Sequence, residues 1–272
     1  PDTASVEIGL PGKFPHRLAA RLSAAYFIGA AARNNPLGKY FAARSGWIRD
    51  CFPAWLKEPA LRLKFDSRIL DFGCGAGRLL HVLRYFGFRD LTGADAFIES
   101  DIFYPNGVRV YKRRLAEFAP ASFDLAMLHH SLEHLPEPLD ALREVNLLLP
   151  AGRFCLARIP VVNFAWEEYG VNWAQLDAPR HLCLFTENSF RRLAEAAGFV
   201  VEKVVYDSTA FQFWGSELYR RDIPLFDERG GEQKENFFDD EQIAEWERRA
   251  EALNDERRGD QACFYLRKAA SA

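Results

Sequence analysis

Three alternate glycines that follow an aspartate are the residues whose types and spacing point most directly to chemistry. Asp71 lies in the short apolar run 69–72, and Gly73, Gly75 and Gly77 follow it, before an apolar segment with helical spacing. Glycine adopts positive φ angles and lets a ligand approach the backbone without a clash at Cβ. The start of a helix adds free N–H groups and the positive end of its dipole. This arrangement predicts a cradle for a cofactor.

A second carboxylate indicates what kind of cofactor the cradle holds. Asp95 ends the next apolar run, and a carboxylate in that position can accept hydrogen bonds from both hydroxyls of a ribose. The glycines are spaced one residue apart, which differs from the GxGxxG pattern of dinucleotide sites. The pattern therefore favours a cofactor with a single ribose and no pyrophosphate. A nicotinamide-dependent oxidoreductase and a catalytically inactive cofactor-binding protein remain alternatives on the same architecture.

Further polar residues follow the apolar run 123–128. The segment from His130 to His134 matches the HxxEH pattern of zinc peptidases. That chemistry needs both histidines on one face of a helix and a further ligand downstream, whereas this segment directly follows a strand. We therefore expect no metal site, and we expect Glu133 and His134 to hold the loop by hydrogen bonds.

His181 is the candidate for acid–base chemistry. It lies in a polar cluster with Asp177 and Arg180, after a stretch that contains Trp166 and Trp173. Histidine titrates near neutrality and can take a proton from a hydroxyl group. Two roles remain open for His181, namely a general base or a hydrogen-bonding residue that shapes its loop. The aromatic residues are either a platform for a sugar or ring, or part of the core.

Strands and helices alternate from residue 68 onward, and these elements must position the polar residues. The pattern predicts helices over 78–86, 138–148 and 187–197, and seven strands over 69–72, 91–95, 108–111, 123–128, 153–159, 199–206 and 262–266. We expect an α/β fold with a Rossmann-like, mostly parallel seven-stranded sheet and helices on both faces. Ligands of such sheets bind beyond the carboxyl ends of the strands.

The chain divides into three parts by its patterns. Residues 1–66 read as a helical cap or lid, and residues 67–206 with 261–269 as the cofactor-binding core. Residues 207–260 break the alternation and are interpreted as an insertion that forms a substrate lid. The apolar stripe of its charged helix, which includes Trp246 and Leu253, predicts that this helix docks.

Composition limits the classes of partner and compartment. The net charge of −3 gives no support to broad binding of nucleic acids. The five cysteines form no CxxC pair, which is typical of a reducing compartment. The apolar stretch 24–32 is too short to span a bilayer. We expect a cytoplasmic protein without a nucleic-acid or membrane partner; the sequence does not determine its oligomeric state.

With these motifs the chain resembles the class I S-adenosylmethionine-dependent methyltransferases. The matching stretches are LDFGCGAGRLL at 70–80, Asp95, SFDLAML at 122–128 and SLEHL at 131–135. The segments 179–186 and 197–199 are similar to one branch of small-molecule methyltransferases, which includes enzymes of ubiquinone and glycan biosynthesis. The resemblance covers about residues 66–206 and the final strand.

The resemblance implies S-adenosylmethionine as cofactor, with S-adenosylhomocysteine as product, and it implies roles by position. Asp71 would lie near the amino group and Asp95 would hold the ribose. The other residues implied at the cofactor are Gly73, Cys74, Gly75, Gly77, Ala96, Leu115, His129 and His130, with Ala96 or Phe97 against the adenine. Lys112–Arg114 stands where relatives often carry an acidic residue for adenine, so the backbone of Leu115 or the side chain of Glu117 would take that contact.

The implied reaction is methylation of a small molecule, with a hydroxyl of a metabolite or of a sugar or glycan unit as the expected acceptor. His181 is the first candidate for the base and His130 the second. Methylation of nitrogen or carbon stays open. An Asn-Pro-Pro-Tyr-like block is absent after the fourth strand, so methylation of a nucleobase amino group is not expected.

Overall fold

The computed structural model describes residues 14–29, 35–228 and 230–270. Residues 1–13 of the predicted cap, its segment 30–34 and the end of the apolar stretch 24–32 lie outside the described residues. Among the residues that the structure describes, every helix is too short or too polar to span a lipid bilayer.

Helices and strands alternate through the described residues. The strands are β1 Arg68–Phe72, β2 Asp90–Ala94, β3 Ile102–Phe103, β4 Arg109–Tyr111, β5 Leu125–His129, β6 Phe154–Pro160, β7 Phe199–Tyr206 and β8 Gln261–Lys268. The α-helices are α1 Phe14–Phe27, α2 Pro36–Arg44, α3 Gly46–Cys51, α4 Arg78–Phe86, α5 Pro138–Leu148, α6 Phe164–Tyr169, α7 Glu187–Ala196, α8 Phe211–Arg220, α9 Lys234–Phe237 and α10 Asp240–Asp255.

The sheet confirms the α/β class and corrects the predicted strand count. It contains eight strands in the order β3-β4-β2-β1-β5-β6-β8-β7, not seven. β1 is parallel to β2 and β5, and β2 is parallel to β4, but β3 is antiparallel to β4, so the sheet is mixed. β3 was not predicted because two residues carry no alternating pattern. The central strands β1 and β5 could be predicted because they are buried along nearly their whole length and read as continuous apolar runs.

Helix ends agree with the signals in the sequence. α4 begins directly after Gly77, and its C-terminal Gly87 has a φ of 108°, a conformation that favours glycine. The Thr186 hydroxyl accepts a hydrogen bond from the backbone N–H of Ser189 at 3.1 Å and caps α7. α7 ends at Ala196, one residue before the predicted end.

The chain forms two compact units. The first contains the described residues within 14–129, 143–156 and 267–270, and the second contains those within 130–142 and 157–266. The second unit has a buried cluster that includes Trp173, Phe213 and Leu253. Trp246 of α10 stacks on Phe213 with ring centroids 6.3 Å apart, so the apolar stripe of that helix packs as predicted.

Asp124 ties two strands of the first unit together where they begin. Its carboxylate accepts the backbone N–H of Arg68 at 3.0 Å, and its own N–H donates to the carbonyl of Arg68 at 2.8 Å. Guanidinium groups of Arg68 and Arg153 lie 3.2 and 3.5 Å from Oδ1. Burial raises the pKa of the Asp124 carboxyl, but the hydrogen bonds and the two positive charges outweigh burial, so this pKa is lower than usual.

Replacing Asp124 with alanine should lower the free energy of unfolding by about 1–3 kcal/mol at pH 7, because the Arg68 N–H and guanidinium lose a charged acceptor. Because the folded-state pKa is depressed, this stability is present above about pH 4 and is lost as the pH falls further. Urea denaturation at pH 7 and pH 3 measures both effects. Asp124→Asn is the matched control, since it keeps an acceptor without the charge. An alanine variant as stable as the wild type at pH 7 would contradict the role of this carboxylate.

Candidate active site

The glycine turn of the first unit requires glycine at its three alternate positions. Gly73, Gly75 and Gly77 have φ angles of 75°, 53° and 80°. A Cβ at Gly77 would lie 2.9 Å from Cγ2 of Val110, whereas a Cβ at Gly75 would meet no atom of the described residues within 4 Å. The turn is therefore packed against the sheet at one end and open at Gly75, where a side chain would fill the space.

Asp95 lies beside this turn at the end of β2. Its Oδ2 accepts the backbone N–H of Gly75 at 2.8 Å, and its Oδ1 accepts that of Phe97 at 2.8 Å. The side chain is buried. Each carboxylate oxygen can accept more than one hydrogen bond. Both oxygens of Asp95 can therefore accept a further hydrogen bond from each of two neighbouring hydroxyl groups.

Asp71 places a second buried carboxylate near the first. Burial and the negative charge of Asp95 raise the pKa of Asp71 to about 7, and no cationic side chain of the described residues offsets these effects. Like charges in a site with little solvent favour a ligand that brings a positive charge. The pair therefore suits a group that carries both a cation and hydroxyls.

The other predicted cofactor residues near the turn differ in burial and in the groups they contact. The Cys74 thiol packs against Gly93, where an added Cβ would lie 2.7 Å from Sγ, and burial raises its pKa, so it stays a neutral thiol. Ala96 is exposed, as is Phe97, which is 83% exposed. The His129 ring contacts the ring of Trp55 in a tilted arrangement, with centroids 4.3 Å apart.

The stretch expected to meet adenine forms a short 3₁₀ helix from Leu115 to Glu117. Leu115 is buried, and Oε2 of Glu117 accepts the backbone N–H of Arg114 at 2.7 Å. The carboxylate of Glu117 is thus engaged in capping this helix. Arg113 covers the ring of Tyr111, with 4.5 Å between its guanidinium carbon and the ring centroid.

His181 belongs to the second unit, and its ring is fixed in one tautomer. Nδ1 lies 2.7 Å from the carbonyl oxygen of Gln175. Because a carbonyl only accepts, Nδ1 carries the hydrogen and Nε2 of the neutral ring keeps its lone pair. Nε2 lies 3.7 Å from Oδ2 of Asp177 and 4.0 Å from Oε1 of Glu133. The geometry leaves a proton acceptor flanked by two carboxylates.

His130 has no such free lone pair. Its Nε2 lies 3.0 Å from Nη1 of Arg158, and because a guanidinium only donates, the Nε2 lone pair is used in this contact. Arg158 is held in turn by Asp207, with Nε 2.7 Å from Oδ2. The structure therefore disfavours His130, the second candidate, as a general base.

The expectation for Glu133 and His134 is met only in part. Nδ1 of His134 lies 2.9 Å from the carbonyl oxygen of Arg180, and the Glu133 carbonyl accepts the N–H of Leu182 at 2.8 Å. The Glu133 carboxylate is fully buried, and neither oxygen accepts a well-aligned hydrogen bond from the described residues, although Nδ1 of His130 lies 3.3 Å from Oε1. One ligand atom each from Glu133, His134 and His181 lie within 4.8 Å of one another, an arrangement that could hold a metal ion. The HxxEH pattern was the only sequence signal for it.

A cavity of about 370 Å³ opens beside these side chains in the second unit. His134, Asp177 and His181 line its polar part, and Phe211 and Phe226 line its apolar part. A cavity of this size and lining can take a small molecule that has one apolar face and one polar group.

Comparison with known proteins identifies the family. A family model described as a methyltransferase domain matches residues 41–204, which is more than half of the 272 residues. The chain belongs to this methyltransferase family. It is therefore an enzyme, and its cofactor is S-adenosylmethionine.

Individual relatives of this methyltransferase are distant. The ubiquinone biosynthesis O-methyltransferase of Aeromonas salmonicida (strain A449) is 28% identical over 188 residues, which span 61% of this chain and 73% of that protein. A chain in the complex of a Haloferax volcanii methyltransferase activator with its putative methyltransferase is 15% identical, with a TM-score of 0.51 over 92% of this chain and 98% of its own. A SAM-dependent methyltransferase from Archaeoglobus fulgidus is 18% identical, with a TM-score of 0.46 over 75% and 86%.

The residues at the glycine turn of this methyltransferase fit its cofactor. S-adenosylmethionine carries one ribose, an ammonium group and a positively charged sulfur. Asp95 has lone pairs for two hydroxyls, and Asp71 is a buried carboxylate that no cation of the described residues offsets. The open space at Gly75 leaves room for the nucleoside. These residues could hold the sugar and the cationic end of the cofactor.

Replacing Asp71 with asparagine should raise the free energy of unfolding of the cofactor-free enzyme at pH 8, because a buried negative charge is removed. Since the folded-state pKa of Asp71 is raised, its contribution to stability is full below about pH 4 and is lost as the pH rises through about 7. We expect the variant to gain on the order of 1–2 kcal/mol of stability at pH 8. Each unit by which the pKa of Asp71 is raised costs the wild type ~1.4 kcal/mol, and the cost of burying the asparagine amide offsets part of the gain from removing the charge. At pH 4 the folded Asp71 is neutral, so only the cost of the buried amide remains and the variant should be less stable than the wild type. Urea denaturation checks this, and a variant less stable at pH 8 would argue against the raised pKa.

Proposed function

We propose that this methyltransferase transfers the methyl group of S-adenosylmethionine to a hydroxyl oxygen of a small molecule, either a metabolite or a sugar or glycan unit. The observation that carries the proposal is His181, whose Nε2 keeps a lone pair because Nδ1 donates to Gln175. An oxygen acceptor has to lose a proton, and this nitrogen is placed to receive it. The relative from A. salmonicida is named as an O-methyltransferase, which supports the same chemistry.

In this proposal the cofactor lies along the turn at Gly73, Cys74, Gly75 and Gly77. Asp95 accepts hydrogen bonds from the ribose hydroxyls, and Asp71 faces the amino group. Ala96 and the backbone of Leu115 flank the adenine, while His129 and His130 lie on the methionine side. These assignments are supported most directly by the burial of both carboxylates and by Asp71, whose charge no cationic side chain of the described residues offsets.

Bound S-adenosylmethionine supplies a methyl group on a positively charged sulfur, which is already activated for displacement. The chain then has to hold the acceptor oxygen in line with the methyl group, and such orientation can supply about 7–11 kcal/mol of the barrier. His181 Nε2 takes the hydroxyl proton as the oxygen–carbon bond forms. The carboxylates of Asp177 and Glu133 then face the resulting imidazolium and stabilise its charge.

We propose the same division of the chain that the sequence predicts. Residues 67–206 with 261–269 bind the cofactor, residues 1–66 cap that core, and residues 207–260 cover the acceptor. Phe211, Leu225 and Phe226 of the last segment line the 370 Å³ cavity, which supports a substrate lid. The ring contact between Trp55 and His129 supports a cap that reaches the cofactor side. The family match begins at residue 41, within the proposed cap.

Replacing Asp95 with alanine should weaken binding of S-adenosylhomocysteine about 10- to 100-fold, because hydrogen bonds from ribose hydroxyls to a charged acceptor contribute about 1.5–3 kcal/mol. Isothermal titration calorimetry measures the change. Asp101→Ala is a control, since this exposed aspartate accepts the N–H of Lys112 outside the turn. Equal affinity of the Asp95 variant and the wild type would refute the ribose assignment.

Replacing His181 with asparagine should lower kcat for a hydroxyl acceptor about 10²- to 10⁴-fold, because the side-chain amide can keep the hydrogen bond to Gln175 but cannot accept a proton. Affinity for S-adenosylhomocysteine should be unchanged. Phe226→Ala is the control, since it removes an apolar wall of the cavity and should raise KM with little effect on kcat. A panel of hydroxyl, amine and carbon acceptors measures these rates. Turnover confined to amines or carbon acceptors, or unchanged in His181→Asn, would contradict the proposal.

A further inference from the structure

We propose that Glu133, His134 and His181 form a binding site for a divalent transition-metal ion of the zinc type, in the wall of the acceptor cavity. One ligand atom from each of these residues lies within 4.8 Å of the other two. The sequence alone predicts no metal site, because the HxxEH segment directly follows a strand, whereas zinc binding needs both histidines on one helix face and a further ligand downstream. The fold supplies that ligand from residue 181, far along the chain. The place of the ion in the reaction rests on the proposed function.

Both histidines are held in the tautomer that leaves Nε2 able to bind a metal ion. Nδ1 of His134 lies 2.9 Å from the carbonyl oxygen of Arg180, and Nδ1 of His181 lies 2.7 Å from that of Gln175. Each carbonyl accepts the ring N–H and leaves Nε2 with its lone pair. Metal-binding histidines are oriented in this way, by a hydrogen bond from the nitrogen that does not bind the ion.

The Glu133 carboxylate is an independent indication of a ligand. It is fully buried, and neither oxygen accepts a well-aligned hydrogen bond from the residues that the structure describes. The nearest polar groups to this carboxylate are imidazole nitrogens, Nδ1 of His130 at 3.3 Å and Nε2 of His181 at 4.0 Å from Oε1. A carboxylate buried without a well-aligned hydrogen bond is costly, and a cation bound beside it would compensate that cost. Asp177 is not a ligand of this site, because both of its carboxylate oxygens accept from the guanidinium of Arg180.

The donor set and its spacing indicate which ion binds. Two imidazoles and a carboxylate suit zinc and its neighbours, whereas magnesium and calcium prefer oxygen ligands. Zinc bonds to nitrogen and oxygen are about 2.0–2.2 Å long, so small side-chain rotations would bring the three ligand atoms onto one ion. The first histidine of the HxxEH pattern is excluded, because Arg158 uses the Nε2 lone pair of His130.

An ion bound by three side chains keeps a coordination position for the acceptor, because His134 and His181 line the cavity. The acceptor hydroxyl would bind there, and the ion would lower the pKa of that hydroxyl. The oxygen then forms its bond to the methyl carbon as the sulfur–carbon bond breaks, and the proton passes to water. In the metal-bound enzyme the His181 lone pair would bind the ion and could not also accept the hydroxyl proton. The ion would then take over the activation of the hydroxyl from His181.

The test measures binding of zinc and cobalt(II) to full-length, tag-free enzyme stripped by a chelator. We expect one equivalent of zinc by calorimetry and a visible absorption band for the cobalt(II) form. Glu133→Gln, His134→Asn and His181→Asn should each weaken zinc binding more than about 100-fold. The two asparagine variants can keep the hydrogen bonds to the carbonyls, and circular dichroism checks that all three fold. His16→Gln, a histidine of α1 outside the cluster, should bind zinc like the wild type.

Two outcomes would overturn the site, namely no zinc binding by the folded wild type, or equal zinc affinity in the wild type and the three ligand variants. Methylation assays with and without zinc separate this inference from the proposed function. If hydroxyl methylation proceeds fully with chelator present and zinc does not bind, the site is refuted and the proposed function stands. If zinc binds as expected but no hydroxyl acceptor is methylated, the proposed function fails and the site stands.

Discussion

The cofactor end of the molecule depends on two buried carboxylates at the ends of neighbouring strands. Parallel pairing of β1 and β2 sets Asp71 opposite Gly93, and Asp95 follows β2 directly. The N–H of Gly75 compensates the charge of Asp95, and nothing cationic among the described residues compensates Asp71. A buried carboxylate without a compensating positive charge is unfavourable in the cofactor-free protein. A bound ligand that carries a positive charge explains why such a carboxylate lies at the ends of these strands.

In the second unit, hydrogen-bond partners decide what each histidine can do. His181 and His134 donate from Nδ1 to carbonyl oxygens and keep the Nε2 lone pair. Nε2 of His130 accepts a hydrogen bond from Arg158, and Asp207 holds that guanidinium in place. Three residues of one type thus separate into two potential proton acceptors or ligands and one that supports the loop. Their chemistry follows from the oxygen or guanidinium opposite each ring rather than from residue type.

Much of the fold could be predicted, because its signals are local. α4, α5 and β7 begin and end at the predicted residues, since glycines, prolines and apolar runs mark them. The strand β3 could not be predicted, because two residues pair with β4 only through the fold of the intervening turn. The sequence placed Cys74 at the cofactor by its position in the motif, and only the fold shows that its thiol packs against Gly93.

The sequence by itself determined the glycine turn, the two acidic strand ends, the order of most helices and strands, and the family. These features depend on residues close together in the chain, where φ preferences, capping and apolar spacing act directly. Only the tertiary structure decided which lone pairs are free, that Asp71 has a raised pKa, and that Glu133 meets His181. Those properties depend on hydrogen bonds, burial and charge between residues distant in the chain, and no local pattern encodes which partner a side chain will find.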